Sequence, residues 1–177
     1  MRPAFHLSSR QGCNQSGCSG NWRRYANENI FKLFLLDVGL LGCMAGIQPG
    51  ELLRQEYGTY KGWFAENYVA QELTAARLGP LYFWQGRQAE VEFVAQTDRG
   101  IVPVEVKAGK SGTLKSLHVF LREKKRSLAL RFNSAPPSLL DTHTSLADGQ
   151  QVQFRLLSLP LYLIGQARRL LREASGN

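Results

Sequence analysis

Residues Glu90–Gly109 read EVEFVAQTDRGIVPVEVKAG. Two β-prone apolar runs flank the short polar stretch TDRG, the pattern of a strand, a turn and a strand. Charges sit inside both runs at alternate positions: Glu90 and Glu92 in the first, Glu105 and Lys107 in the second. Side chains alternate between the faces of a strand, so Val91 and Phe93 are expected on one face and Glu90 and Glu92 on the other. Val104 and Val106 divide from Glu105 and Lys107 in the same way. Pairing the two strands across TDRG crowds three carboxylates and an ammonium onto one patch.

Carboxylates held that close repel one another unless a proton or a cation offsets them. A hard divalent cation with oxygen ligands, Mg²⁺ or Mn²⁺, suits such a patch. Glu105 and Lys107 project from one face about 7 Å apart along the strand. That spacing lets the acid hold a metal while the lysine steers a water whose pKa the metal lowers. Phosphodiester cleavage needs this arrangement, with positive charge where the phosphate oxygens gain negative charge. A simpler alternative is an exposed sheet face with cross-strand ion pairs, each contributing about 0.2–1 kcal/mol.

Upstream, WFAENYVAQELTAARLG (Trp63 to Gly79) consists of good helix formers and ends at Gly79 and Pro80. At about 100° per residue, Glu66 shares a face with Val69, Ala70 and Leu73. Phe64, Tyr68 and Ala75 form a second apolar stripe, so the helix is expected to be covered on both sides. Between it and the hairpin, LYFWQ reads as a first strand. Downstream, TLKSLHVFLREKKR reads as a helix and SLALRF as a strand. NSAPPSLLDTHTSLADGQ reads as a loop, VQFRLLSLPLYLIG as a fifth strand with its exit, and QARRLLREASGN as a short basic helix that frays. Ahead of the long helix, IFKLFLLDVGLL reads as a strand turning at Asp37 into a short helix.

The combination AEVEFVAQTDRGIVPVEVKAG with WFAENYVAQEL resembles the nuclease-like domain found at the C-terminal end of many AAA-type ATPases, domain of unknown function 4143. FKLFLLDVGLL resembles the segment before its core, LKSLHVFLREK the helix after E-x-K, and LPLYLIG the closing strand. The resemblance runs from about Asn29 to Gly165. It implies an α/β fold with a restriction-endonuclease-like core, PD-(D/E)XK in type: a central mixed sheet of four to five strands flanked by helices. It also implies site roles. Glu66 corresponds to the acid of the first helix, Glu92 to the strand metal ligand, Glu105 to the acid of E-x-K and Lys107 to its lysine. The metal would be Mg²⁺ or Mn²⁺, held by Glu92, Glu105 and the backbone carbonyl of Val106. Glu90 matches an acid that often precedes the strand ligand. That ligand is usually Asp, and Glu92 carries its carboxylate about 1 Å further out.

Members of that family usually carry an ATPase half. Here the nearest phosphate-loop echo, AGKSG, has Val104 where the first glycine belongs, so no ATP site is expected. The expected organisation is a disordered tail over 1–24, a small N-terminal segment over 25–60, the nuclease-like domain over 61–165 and a basic helix or tail over 166–177. The implied function is a Mg²⁺-dependent DNA phosphodiesterase. The alternative is an inactive nuclease-fold module that binds DNA or a protein partner, such as a separate AAA-type ATPase.

Composition is compatible with either. The 177 residues suit one domain, and 22 Lys plus Arg against 14 Asp plus Glu give a net charge of +8, a balance that anionic partners favour. No run approaches about 18 apolar residues, so no membrane span is expected and a cytoplasmic location is the default. Cys13 and Cys18 lack a second ligand pair at zinc-finger spacing. Cys43, Trp63, Tyr82, Phe83 and Trp84 are expected in the core. Arg122, Lys124, Lys125 and Arg126 form a basic helix end, suited to the helix dipole or to phosphate contact. His6, His118 and His143 have no catalytic partner by spacing.

Overall fold

The structure, a computed structural model, describes residues 6–11, 27–54, 58, 60–87, 89–98, 100–109, 113–145 and 149–176. Thirteen elements follow one another: β1 (His6–Gln11), β2 (Asn27–Leu35), α1 (Val38–Met44), α2 (Pro49–Arg54), α3 (Tyr60–Ala75), β3 (Tyr82–Gln85), β4 (Glu90–Thr97), β5 (Gly100–Val106), α4 (Lys115–Glu123), β6 (Leu128–Asn133), β7 (Ser138–Ser145), β8 (Gln151–Pro160) and α5 (Ala167–Ala174). A 3-10 helix, Leu161–Gln166, leads directly into α5. The eight strands form one mixed sheet in the order β2-β1-β3-β4-β5-β6-β8-β7. Strands β4 and β5 pair antiparallel as a hairpin. The α4 crossover then brings β6 parallel to β5, and β8 lies parallel to β6.

Apolar surface is buried on both faces. On one face Val69, Ala70 and Leu73 of α3, Ile164 of the 3-10 helix and Leu171 of α5 pack on Phe93, Val104, Leu130, Phe132 and Leu159. On the other, Phe120 of α4 packs with Trp84, Val91, Val94 and Ile101, while Leu117 and Leu121 pack with Ala129, Phe154 and Leu156. Helix α3 stops where Arg77 turns left-handed (φ 52°) and the Leu78 N–H reaches back to the Leu73 carbonyl at 3.1 Å. Helix α1 starts at Asp37, whose side chain accepts from the Leu40 N–H at 2.8 Å.

Several sequence expectations are corrected. Among the described residues the sheet has eight strands rather than four or five. His6–Gln11 is not disordered: it is a strand bonded to β2 and β3, and the rest of the 1–24 tail, with Cys13 and Cys18, lies outside the described residues. SLLDTHTS, read as loop, is β7, an edge strand whose ladder runs the length of β8. Its polar residues are tolerated because it is largely exposed. LPLYLIG does not close the sheet, because Leu161–Gln166 coils into the 3-10 helix. Helix α5 is docked by Ala167, Leu171 and Ala174 rather than hanging free. Cys43 is exposed, and Trp63 is 66% exposed and meets Tyr60 edge-on. Tyr82, Phe83 and Trp84 do lie in the core.

Candidate active site

Strict alternation along β4 fails at the point that matters. Tyr82 pairs with Val94 but Trp84 pairs with Val91, so β4 carries one extra residue opposite Phe83. Val91 and Val94 consequently share the α4-side core, while Phe93 joins the α3-side core. The expectation that Val91 and Phe93 point the same way is overturned by this β-bulge. Bulges re-aim side chains and are frequent beside functional sites, and this one spans Glu92.

Across the hairpin, Phe93 pairs with Val104, which leaves Glu92 and Glu105 one step further along their strands. Lys107 follows at the end of β5, its N–H bonded to the Phe132 carbonyl at 2.8 Å. The Lys107 Nζ lies 2.5 Å from Glu105 Oε1 and 3.9 Å from Glu92 Oε1. These side chains are only 5% (Glu105), 17% (Glu92) and 27% (Lys107) exposed, so their interactions are weakly screened. Glu92 Oε2 and Glu105 Oε2 are buried and accept no hydrogen bond from any described group. A buried carboxylate oxygen without a donor is costly.

The electrostatics follow from that crowding. Burial, then the charge of Glu105 and a hydrogen bond with it, push the Glu92 carboxyl up to about 8. For Lys107, burial pulls downward. The hydrogen bond and charge of Glu105, helped by Glu92 and Glu66, outweigh it, so the net shift is upward and the ammonium stays charged. Glu66 is raised, chiefly by burial; among the charges around it Lys32 acts most strongly, ahead of Glu90, Lys107 and Glu105.

Glu92, Glu105 and Lys107 are therefore brought together, and Glu66 interacts electrostatically with Lys107 and Glu105. Among the described residues no group of three or more His, Cys, Asp or Glu side chains converges to hold a metal, so a cation here would rest on two carboxylates with the Val106 carbonyl. Glu90 turns aside to an ion pair with Lys32. Lys32 also lies 5.2 Å from the centre of the Phe83 ring, and with Glu66 it lines a cavity of about 440 Å³ under α3. Sequence reasoning missed Lys32 and the buried Asn67. The Asn67 side chain accepts from the Leu35 N–H at 2.8 Å and donates to the Leu35 carbonyl at 3.1 Å, holding β2 against α3. The lone lysine in IFKLFLL was the signal: a charge set into an apolar strand needs a partner.

The orphaned oxygens fit a divalent cation. Both are hard oxygen donors, the type that Mg²⁺ and Mn²⁺ take. Together, fold and site define the class: a mixed-sheet α/β domain with two buried carboxylates and a lysine at the mouth of a central hairpin. The chain matches the family described as Domain of unknown function (DUF4143) over residues 61–158, from α3 almost to the end of β8. That is more than half of its 177 residues, and the chain belongs to this family. No curated protein and no solved structure matches it. No helix among the described residues is long and apolar enough to cross a membrane.

Proposed function

We propose that the chain is a divalent-metal-dependent phosphodiesterase that cuts DNA, built on a restriction-endonuclease-like core. The observation that carries this reading is the pair of donor-less buried oxygens on Glu92 and Glu105 beside the Lys107 ammonium. The order α3-β3-β4-β5-α4-β6, with α3 and α4 on opposite faces of the sheet, supports the core assignment.

Glu92, Glu105 and the Val106 carbonyl would hold Mg²⁺ or Mn²⁺. When bound, the metal would lower the pKa of a water and offset charge on the phosphate. Lys107, kept protonated, donates to the attacking water or to a non-bridging phosphate oxygen and holds it in line. Glu105 fixes the ammonium in that position through its Oε1. Glu66, whose carboxyl burial raises above its usual range, stands near Lys107 as a group that could exchange a proton with the site.

A second reading has its own support: with no third side-chain acid in ligand range among the described residues, the domain holds DNA or a protein partner such as an AAA-type ATPase without cutting. A cleavage assay on supercoiled and linear DNA with Mn²⁺ or Mg²⁺, comparing wild type with Lys107→Ala and Glu105→Ala, separates the two. Metal-dependent cleavage lost in both variants supports the enzyme. Chelator-insensitive association without cleavage supports the binding module. Cleavage that survives both substitutions overturns the assigned site.

A further inference from the structure

A polar pocket of about 550 Å³ opens at the other end of the sheet, where β5 and β6 begin. Ile101 lines it, four residues and about 13 Å along β5 from Glu105. Its charged lining is Lys125, Arg126, Asp141 and Arg155, with the Ser127 hydroxyl and the Gln153 amide as neutral donors. Asp141 is the one acid among the described lining residues, and it is taken: Arg155 donates to it at 2.8 Å through Nε and to the Ala174 carbonyl at 2.7 Å through Nη1. Among the described lining residues, the positive charge of Lys125 and Arg126 therefore has no counter-charge.

Arg126 is held in place by backbone geometry. Lys125 adopts a left-handed conformation (φ 51°) that a side-chain-bearing residue rarely takes. The turn ends with the Arg126 N–H on the Leu121 carbonyl at 2.8 Å. The guanidinium then lies against Gly100, whose φ is +114° and where a Cβ would come within 2.9 Å of Nη1. Its Nε is buried and has no acceptor among the described residues. A guanidinium N–H buried without an acceptor is costly, and an anion in the pocket would offset the charge of the guanidinium that lines it.

We propose that this pocket binds a phosphate group, with Arg126 as its principal ligand and Lys125, Ser127 and Gln153 completing the contacts. The phosphate belongs either to a free phosphate ester or to the end of a nucleic-acid strand; both present the same tetrahedral oxyanion. The assignment stands apart from the nuclease reading, because none of these residues belongs to the Glu92–Glu105–Lys107 site.

The test is calorimetric titration of the full chain with inorganic phosphate, at constant ionic strength and with chelator present. Saturable binding is expected, weakened about 10-fold or more in Arg126→Gln through loss of a charge-assisted bond. Lys125→Gly relieves the left-handed backbone and guards against misfolding: it should melt no lower than wild type, yet bind phosphate several-fold more weakly. Competition by a 5′-phosphorylated oligonucleotide, but not by its unphosphorylated twin, assigns the phosphate to a strand end. Saturable phosphate binding without such competition assigns it to a free ester. Absence of saturable binding by wild type, or equal affinity in all three proteins, overturns the proposal.

Discussion

At the scale of single residues, the proposed chemistry turns on Lys107. Its ammonium is the only cation within 4 Å of both Glu92 and Glu105 among the described ion pairs. Lys107→Ala is expected to lower DNA cleavage by about 10²-fold or more, the loss typical of removing a preorganised charge from a reacting oxygen. The check is a rate measurement at saturating Mn²⁺. Lys107→Arg is expected to recover little, since a planar fork does not replace a point charge at 2.5 Å from one oxygen. The E-x-K pair was legible in the sequence because alternation on one strand is a local rule. Lys32 was less so: its partners Glu90 and Phe83 lie more than fifty residues away, and nothing in IFKLFLL names them.

At the scale of elements, the β4–β5 hairpin and α3 were readable from alternation, the TDRG turn and helix-forming composition. The bulge at Glu92 was not, because one extra residue in a register leaves no compositional mark. Strand β7 was hidden for a different reason. An edge strand with one solvated face can be rich in Ser and Thr, as SLLDTHTS is, and two prolines just before it read as loop. Strand β1 is made by backbone pairing to β2 and β3 rather than by an apolar pattern. Asn67 adds to the β1–β3 ladder in joining this N-terminal hairpin to the rest. Asn67→Ala should cost about 1–3 kcal/mol, since it strips both hydrogen bonds from Leu35 in a part-buried site. Asn67→Asp should cost as well, keeping the acceptor for the N–H but setting a carboxylate against the Leu35 carbonyl. Urea denaturation of the three proteins measures both effects.

At the scale of the whole molecule, the site makes stability depend on pH. Glu92 titrates near 8 in the folded chain against a usual carboxyl value of about 4.5. Below about 4.5 both states hold the proton. Between about 4.5 and 8 the folded state keeps a proton the unfolded chain has lost, so stability falls as pH rises through this window and levels off above it. Glu66, also raised, acts with the same sign. In chelator, the wild type should therefore show a higher urea midpoint at pH 5.5 than at pH 8.5. Glu92→Gln, which cannot ionise, should flatten much of that slope. An unchanged slope in Glu92→Gln would show that Glu92 is not the group responsible.

The central claim is that Glu92 and Glu105 together form a cation site. Titrating Mn²⁺ into the metal-free chain, followed by calorimetry or by electron paramagnetic resonance of the free ion, tests it most directly. One saturable site is predicted for the wild type, lost in both Glu92→Gln and Glu105→Gln while each variant stays folded. A wild type that takes up no Mn²⁺, or variants that bind it as tightly as the wild type, would contradict the account.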